Sequence, residues 1–157
     1  MTSLVEYINE VRVDKRLVIK WINDNYAADN FELSKTPKNG KYEVFGSNVY
    51  TNNPNLTSLT NDMFVWSEID GVFNCSVCKS LKSLKGGPKK VSGSFVCYGC
   101  DSLIDLKYAP QEVGEDFDCG HCKSLKSLEG APEKVGGDFY CNNCPELKSL
   151  EGAPNAK

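Results

Sequence analysis

The chain has 157 residues, a formal net charge of -3 and eight cysteines. That length allows one domain or one elongated array and excludes two large domains, and the charge supplies no global field to hold nucleic acid or an anionic membrane. The first residues, MTSLVEYINEVRVDK, lack the basic start and apolar run of a secretory signal, and no stretch is apolar enough to span a bilayer. The expected location is the cytoplasm, where cysteines stay as thiols or bind metal rather than pair.

Taken in chain order, the N-terminal third predicts two helices and a hairpin. Ser3 stands three residues before Glu6 in a capping-box pattern, with Leu4, Ile8 and Val11 on one helical face. A second helix, capped by Asp14, places Val18, Ile22 and Tyr26 on one stripe with Leu17 and Trp21 beside it. Phe31 and Leu33, then Tyr42 and Val44, alternate on two short segments around Asn39-Gly40, a hairpin signal. Residues 1–45 carry seven Lys/Arg and seven Asp/Glu, so this region has no basic stripe of the kind nucleic-acid readers present. Its expected task, as a unit over residues 1–43, is to cap a repeat array over residues 44–157.

The array announces itself by spacing. Phe73, Phe95, Phe117 and Phe139 lie 22 residues apart, and so do Cys75, Cys97, Cys119 and Cys141. The same holds for Cys78, Cys100, Cys122 and Cys144, for Leu81, Leu103, Leu125 and Leu147, for Leu84, Leu106, Leu128 and Leu150, and for Pro88, Pro110, Pro132 and Pro154. Regular coils therefore run from residue 73. A fixed period in the twenties predicts a solenoid, because one coil cannot bury its apolar face alone. Phe-x-Cys alternates as a strand does, which predicts one short parallel strand per coil, followed by a turn side carrying the leucines. The expected fold class is α+β.

The segment FYCNNCPEL, residues 139–147, resembles the leucine-rich repeat in its cysteine-bearing form. Phe139 and Cys141 stand at the strand leucines, Cys144 at the Asn/Cys position and Leu147 at the next leucine. The pattern is most similar to a short variety found in bacterial and phage proteins of unassigned role, and an imperfect earlier copy runs from Val49 to Leu59, with Thr51 and Pro54 in place of cysteines. The resemblance implies a right-handed solenoid, a ladder at the Asn/Cys position that satisfies loop backbone groups, and a protein-binding role without catalysis, such as a phage-encoded modulator or inhibitor of a host protein. It identifies a fold family rather than an activity.

The cysteines admit a second reading. Cys75-x-x-Cys78 followed by Cys97-x-x-Cys100 falls within the spacing of a four-thiolate zinc site. Against a zinc-stabilised module, every residue class repeats in step with the cysteines, which makes them small apolar core residues. The expectation is no metal and no cofactor. His121, the sole histidine, sits between Cys119 and Cys122, yet no third residue orients it for catalysis.

Charge varies from coil to coil. Residues 73–94 carry Lys79, Lys82, Lys85, Lys89 and Lys90 with no acid, whereas residues 95–116 carry five acids against Lys107. Cross-coil ion pairs are expected there, with a patch for acidic phospholipid or RNA as the alternative. The outward strand positions include Val96, Tyr98, Asp116, Asp118, Asp138, Tyr140 and Asn142, and these form the candidate partner-binding face, its tyrosines serving as rigid anchors. The expected partner is a protein, neither membrane nor nucleic acid. The outer edge of the last strand, lacking a following coil in the sequence, predicts a homodimer through the C-terminal coil.

Overall fold

The computed structural model describes residues 14–154. The helix expected over residues 3–11 lies outside them. Helix α1 (Lys15–Asn25) begins where the Asp14 side chain accepts the Arg16 backbone N–H at 2.9 Å, satisfying one of the donors a helix start leaves free. Val18 and Ile22 are buried along the expected stripe, continued by Tyr26, whose extended backbone ends the helix. Leu17, expected beside the stripe, is instead 53% exposed. It precedes Val18 by one residue, and about 100° of helical rotation carries it off the buried face.

Strands β1 (Ala27–Leu33) and β2 (Tyr42–Tyr50) pair antiparallel from Ala27↔Tyr50 to Leu33↔Val44. At the tip, Lys38 bridges Lys41 around Asn39 and Gly40, whose φ values of 52° and 74° give the doubly left-handed turn that Asn-Gly favours. The other edge of β2 pairs parallel with β3 (Phe64–Asn74), setting Tyr42 beside Phe64 and Val49 beside Phe73. Strand β2 thus closes the hairpin and makes the first rung of the array, spanning residue 44.

Beyond β3 the chain forms a parallel-strand β-solenoid of about four turns. Each regular coil contributes two short strands where one was expected: β4 (Lys90–Val91) and β5 (Phe95–Val96), β6 (Glu112–Val113) and β7 (Phe117–Asp118), β8 (Lys134–Val135) and β9 (Phe139–Tyr140). Two parallel ladders grow from the single long β3, one through β4, β6 and β8 and the other through β5, β7 and β9. The reason is the Val-x-Gly-x-Phe segment. Its middle residues are bends and not strand, packed tightly on the coil below: a Cβ added at Gly93 would lie 2.7 Å from the Gly71 carbonyl oxygen, and Glu115 takes the same bend in the next coil. The chain bends at that close approach, and the bend divides one strand into two.

The third side of each coil has no strand and is closed by turns that recur every 22 residues, such as Leu103 N–H to Cys100 C=O and Ala109 N–H to Leu106 C=O, both 3.0 Å. Stacking aligns like residues into columns. The rings of Phe73, Phe95, Phe117 and Phe139 lie parallel, with centroids 5.5, 5.3 and 5.2 Å apart, and the first three are fully buried. Leu81, Leu84, Leu103, Leu106, Leu125 and Leu128 are fully buried beside them. Burying each such side chain contributes about 1.5–3 kcal/mol. At the N-terminal end the Phe column meets a group of aromatics, with Trp66 edge-on to Phe73 at 5.8 Å and Trp21 tilted against Phe64 at 5.4 Å.

Outside the core, charges pair between coils at the same spacing. Lys90 and Lys134 both bind Glu112, at 2.8 and 3.0 Å, while Lys123 binds Asp101 and Lys107 binds Glu129. The hydrogen bonds from Lys90 and Lys134 hold the Glu112 carboxyl down to about 2 from its usual 4.5. A depressed carboxyl pKa stabilises the fold above the unfolded-state value, and that contribution fades as pH falls through the folded-state value. Solvent screens this exposed trio, so the effect is small. Between pH 4.5 and pH 2, a Glu112→Gln variant is expected to lose less stability than the parent, measured by thermal melts across that window; identical acid dependence in the two proteins would contradict the ladder.

Candidate functional site

The four Cys-x-x-Cys pairs are the first candidate, and geometry decides what they do. The second residue between each pair, Val77, Gly99, His121 or Asn143, adopts the left-handed conformation, with φ between 54° and 67°. That common bend turns the second thiol of each pair back toward the preceding coil. Cys100 donates to the Cys75 carbonyl, Cys122 to the Cys97 carbonyl and Cys144 to the Cys119 carbonyl, each at 3.2 Å, and Cys78 reaches the Thr51 carbonyl at 3.9 Å. The cysteines form a ladder of thiol donors to backbone acceptors, the three rungs between cysteines each 25 residues long in sequence and the first, to Thr51, 27.

This environment raises the pKa of six of the eight thiols, while the hydrogen bond with Cys97 lowers that of Cys122. Burial pushes Cys78 up to about 12 and raises Cys119 as well; the contact with Cys100, then burial, raises Cys75; and the contact with Cys122, then burial, raises Cys97. Zinc and nucleophilic chemistry both need the thiolate. Among the described residues all the cysteines are free, and no three His, Cys, Asp or Glu side chains converge on a metal position. Cys119 points its thiol at the Tyr140 carbonyl, 3.2 Å away, while His121 engages Asn143, so the two do not act as a pair.

The strand face is the second candidate, and the solenoid brings its residues together. Val96, Asp118 and Tyr140 are successive partners on β5, β7 and β9. Beside them the Asp116 carboxylate accepts the Asp138 backbone N–H at 2.8 Å, and the Tyr140 hydroxyl donates to Asp138 at 2.9 Å. That hydrogen bond, with the charges of Asp138, Asp116 and Asp118, holds the Tyr140 phenol above its usual value. Asp118 also accepts the Gly120 backbone N–H at 2.8 Å. None of the three aspartates has a Lys or Arg within ion-pair distance among the described residues. Asn142 is exposed one coil beyond Gly120.

Tyr98 stands apart from Tyr140, at the Cys-x-x-Cys turn, with its ring centroid 4.8 Å from that of His121. Asn143 lies 2.8 Å from His121 Nε2 through its side-chain nitrogen. Sequence reasoning does not single out Val77 or Asn143, and it weighs His121 only as a partner for the neighbouring cysteines. Their signal was positional: His121 and Asn143 follow the positions of Tyr98 and Asn142, and a left-handed bend turns them toward the same surface. Val77 is an outlier, since β-branched residues rarely adopt φ near +54°.

Compared with known proteins, the chain matches no family model, no curated protein and no solved structure. Among the described residues, no helix is long and apolar enough to cross a membrane.

With the thiols serving as hydrogen-bond donors in a packed core, Cys119→Ser is expected to cost about 1–3 kcal/mol, because a hydroxyl enters an apolar stack. Chelator should leave the melting curve of the purified, reduced protein unchanged. Stoichiometric zinc together with chelator-induced unfolding would contradict this, since the binding energy of a structural zinc site is folding energy.

Proposed function

We propose that the protein is a binding module of the leucine-rich repeat type, without chemistry of its own, that takes a basic protein partner on its strand face. The observation that carries this reading is where uncompensated acids gather. On the other sides of the coil, Glu112, Asp101 and Glu129 each find a lysine one coil away while Asp105 and Glu133 do not. Asp116, Asp118 and Asp138 are distinguished by gathering on two adjoining coils of one face, without a lysine or arginine within ion-pair distance among the described residues and with the exposed Tyr140 beside them. Carboxylates held by backbone N–H groups are pre-oriented, so little side-chain entropy is lost when a cation docks. Tyrosine adds rigid contact area with a polar tip. The leucine-rich repeat assignment rests on the motif resemblance and on the thiol ladder at the Asn/Cys position. A capping role for α1 and the hairpin is supported by Tyr26, which packs 6.1 Å from Phe73, and by Val49, which is paired beside it.

Replacing Tyr98 and Tyr140 by Ala together with Asp118→Lys is expected to abolish capture of the principal partner by affinity pull-down while leaving circular dichroism intact. Substituting Lys79, Lys82 and Lys89 by Glu should weaken the same capture far less. The reverse ranking would move the principal site to the basic edge.

A homodimer through β9 is the second part of the proposal. Among the described residues, β9 has no strand on its outer edge, and Phe139 and Cys141 there are only partly buried where the same positions of inner coils are fully buried. Antiparallel pairing of two such edges would cover both and close the assembly. Light scattering at micromolar concentration should report twice the chain mass, and Cys141→Pro should shift it toward monomer by removing an outward edge donor, since at the same position of the inner coil the Cys119 N–H reaches out to the Tyr140 carbonyl. A monomer mass across that range would reject the dimer.

A further inference from the structure

One coil breaks the repeat on its turn side at two exposed places. Where the other coils have Lys82, Lys126 and Lys148, the second has Ile104, 51% exposed. Where the others have Gly86, Gly130 and Gly152, with φ of 82°, 85° and 87°, it has Tyr108 at φ 70° and 61% exposed. Glycine in that column has a steric cause. A Cβ at Gly130 would lie 2.6 Å from the Lys107 Cα, and one at Gly86 would lie 1.9 Å from a Thr60 methyl. A bulky residue in this conformation is strained in its own right, and strain that persists at an exposed position points to a use for the side chain.

Tyr108 forms one wall of a cleft of about 330 Å³ whose lining includes Val65, Pro88, Ala109 and Lys89. The neighbouring coil supplies Lys79, Lys82, Lys85 and Lys89, all exposed. None of them has a carboxylate within ion-pair distance among the described residues, although Lys90, Lys107, Lys123 and Lys134 are all paired. Lys82 is one 22-residue step from Ile104, and Lys89 lines the cleft with Tyr108. Apolar contact and uncompensated positive charge therefore share one edge.

We propose that this edge is a second interaction surface, separate from the strand face, and that it takes an acidic protein segment with an apolar side chain anchored against Tyr108. The charge distribution selects this occupant. Among the regular coils only residues 73–94 carry net positive charge, and the next coil carries five acids, with Asp105, Glu115 and Asp116 outside any lysine pair. A polyanion with a broad or continuous phosphate surface would meet those acids as soon as it extended past the lysines. A short acidic segment can follow the lysine edge and stop there.

The test uses a displayed library of random dodecapeptides selected on the full chain, followed by fluorescence anisotropy on the enriched peptides. Enriched sequences should combine Asp or Glu with one Leu, Ile or aromatic residue. Tyr108→Gly should weaken their binding roughly tenfold, as expected for loss of a central aromatic contact. The same change should raise the melting temperature by about 2–4 °C, because it restores the residue the backbone prefers. Opposite movement of affinity and stability is not what a residue kept for packing would give. Replacing Lys79, Lys82 and Lys89 by Glu should abolish binding, whereas Asp118→Lys on the strand face should leave it unchanged. The proposal is overturned if no acidic motif is enriched, if Tyr108→Gly binds as the parent does, or if oligouridylate or phosphatidylserine vesicles bind this edge more tightly than the best peptide.

Discussion

Stacking in register is the constraint on which the rest of this molecule depends. A coil of 22 residues that pairs Phe73 with Phe95, and Val91 with Val113, places every later side chain over its own image in the next coil. Rings then stack on rings, thiols reach the backbone of the preceding coil, and a lysine meets a glutamate one coil away. None of these contacts is local in sequence, and none exists in a single coil. One residue inserted into a coil would turn the strand residues to the opposite faces and break several columns together.

The cysteines show how such a constraint assigns a chemical role. In isolation Cys-x-x-Cys suggests metal or redox chemistry. Within the array the first cysteine of each pair fills a core position behind the strand, and the second donates its S–H to a backbone carbonyl of the preceding coil. A weak donor is sufficient there because leaving the carbonyl buried and unpaired is the costly alternative. Burial in turn favours the protonated form of most of the thiols, Cys78 and Cys119 among them. Packing and backbone satisfaction thus account for both halves of the motif.

Much of this architecture was legible in the sequence because the period repeats it. The Phe, Cys and Leu columns, the Asn39-Gly40 turn and the stripe of Val18, Ile22 and Tyr26 follow from spacing or from local turn chemistry. The second ladder was not legible. Val91 and Phe95 read as the return and the strand of one coil, and the division between them is a bend packed against another coil that Glu115 makes as well as Gly93. Leu17 was misplaced because an apolar residue beside a stripe carries no sign of which way its side chain turns. On the candidate face, the file Val96, Asp118, Tyr140 followed from register alone. The contact of Tyr98 with His121 requires a left-handed residue in the turn, and Val77 and His121 are not residue types that announce one. Tyr108 interrupts the column of Gly86, Gly130 and Gly152, but neither its conformation nor its cleft follows from that spacing.

The central claim is that the cysteines belong to the stacked core, and thiol alkylation of the native protein followed by peptide mass spectrometry tests it most directly. Cys141 is only partly buried, whereas Cys75, Cys97 and Cys100 are completely enclosed. The account predicts that Cys141 is modified first and that the enclosed three react only as fast as the array opens, with all eight reacting together in denaturant. Modification of Cys75 or Cys97 as fast as Cys141 under native conditions would contradict it.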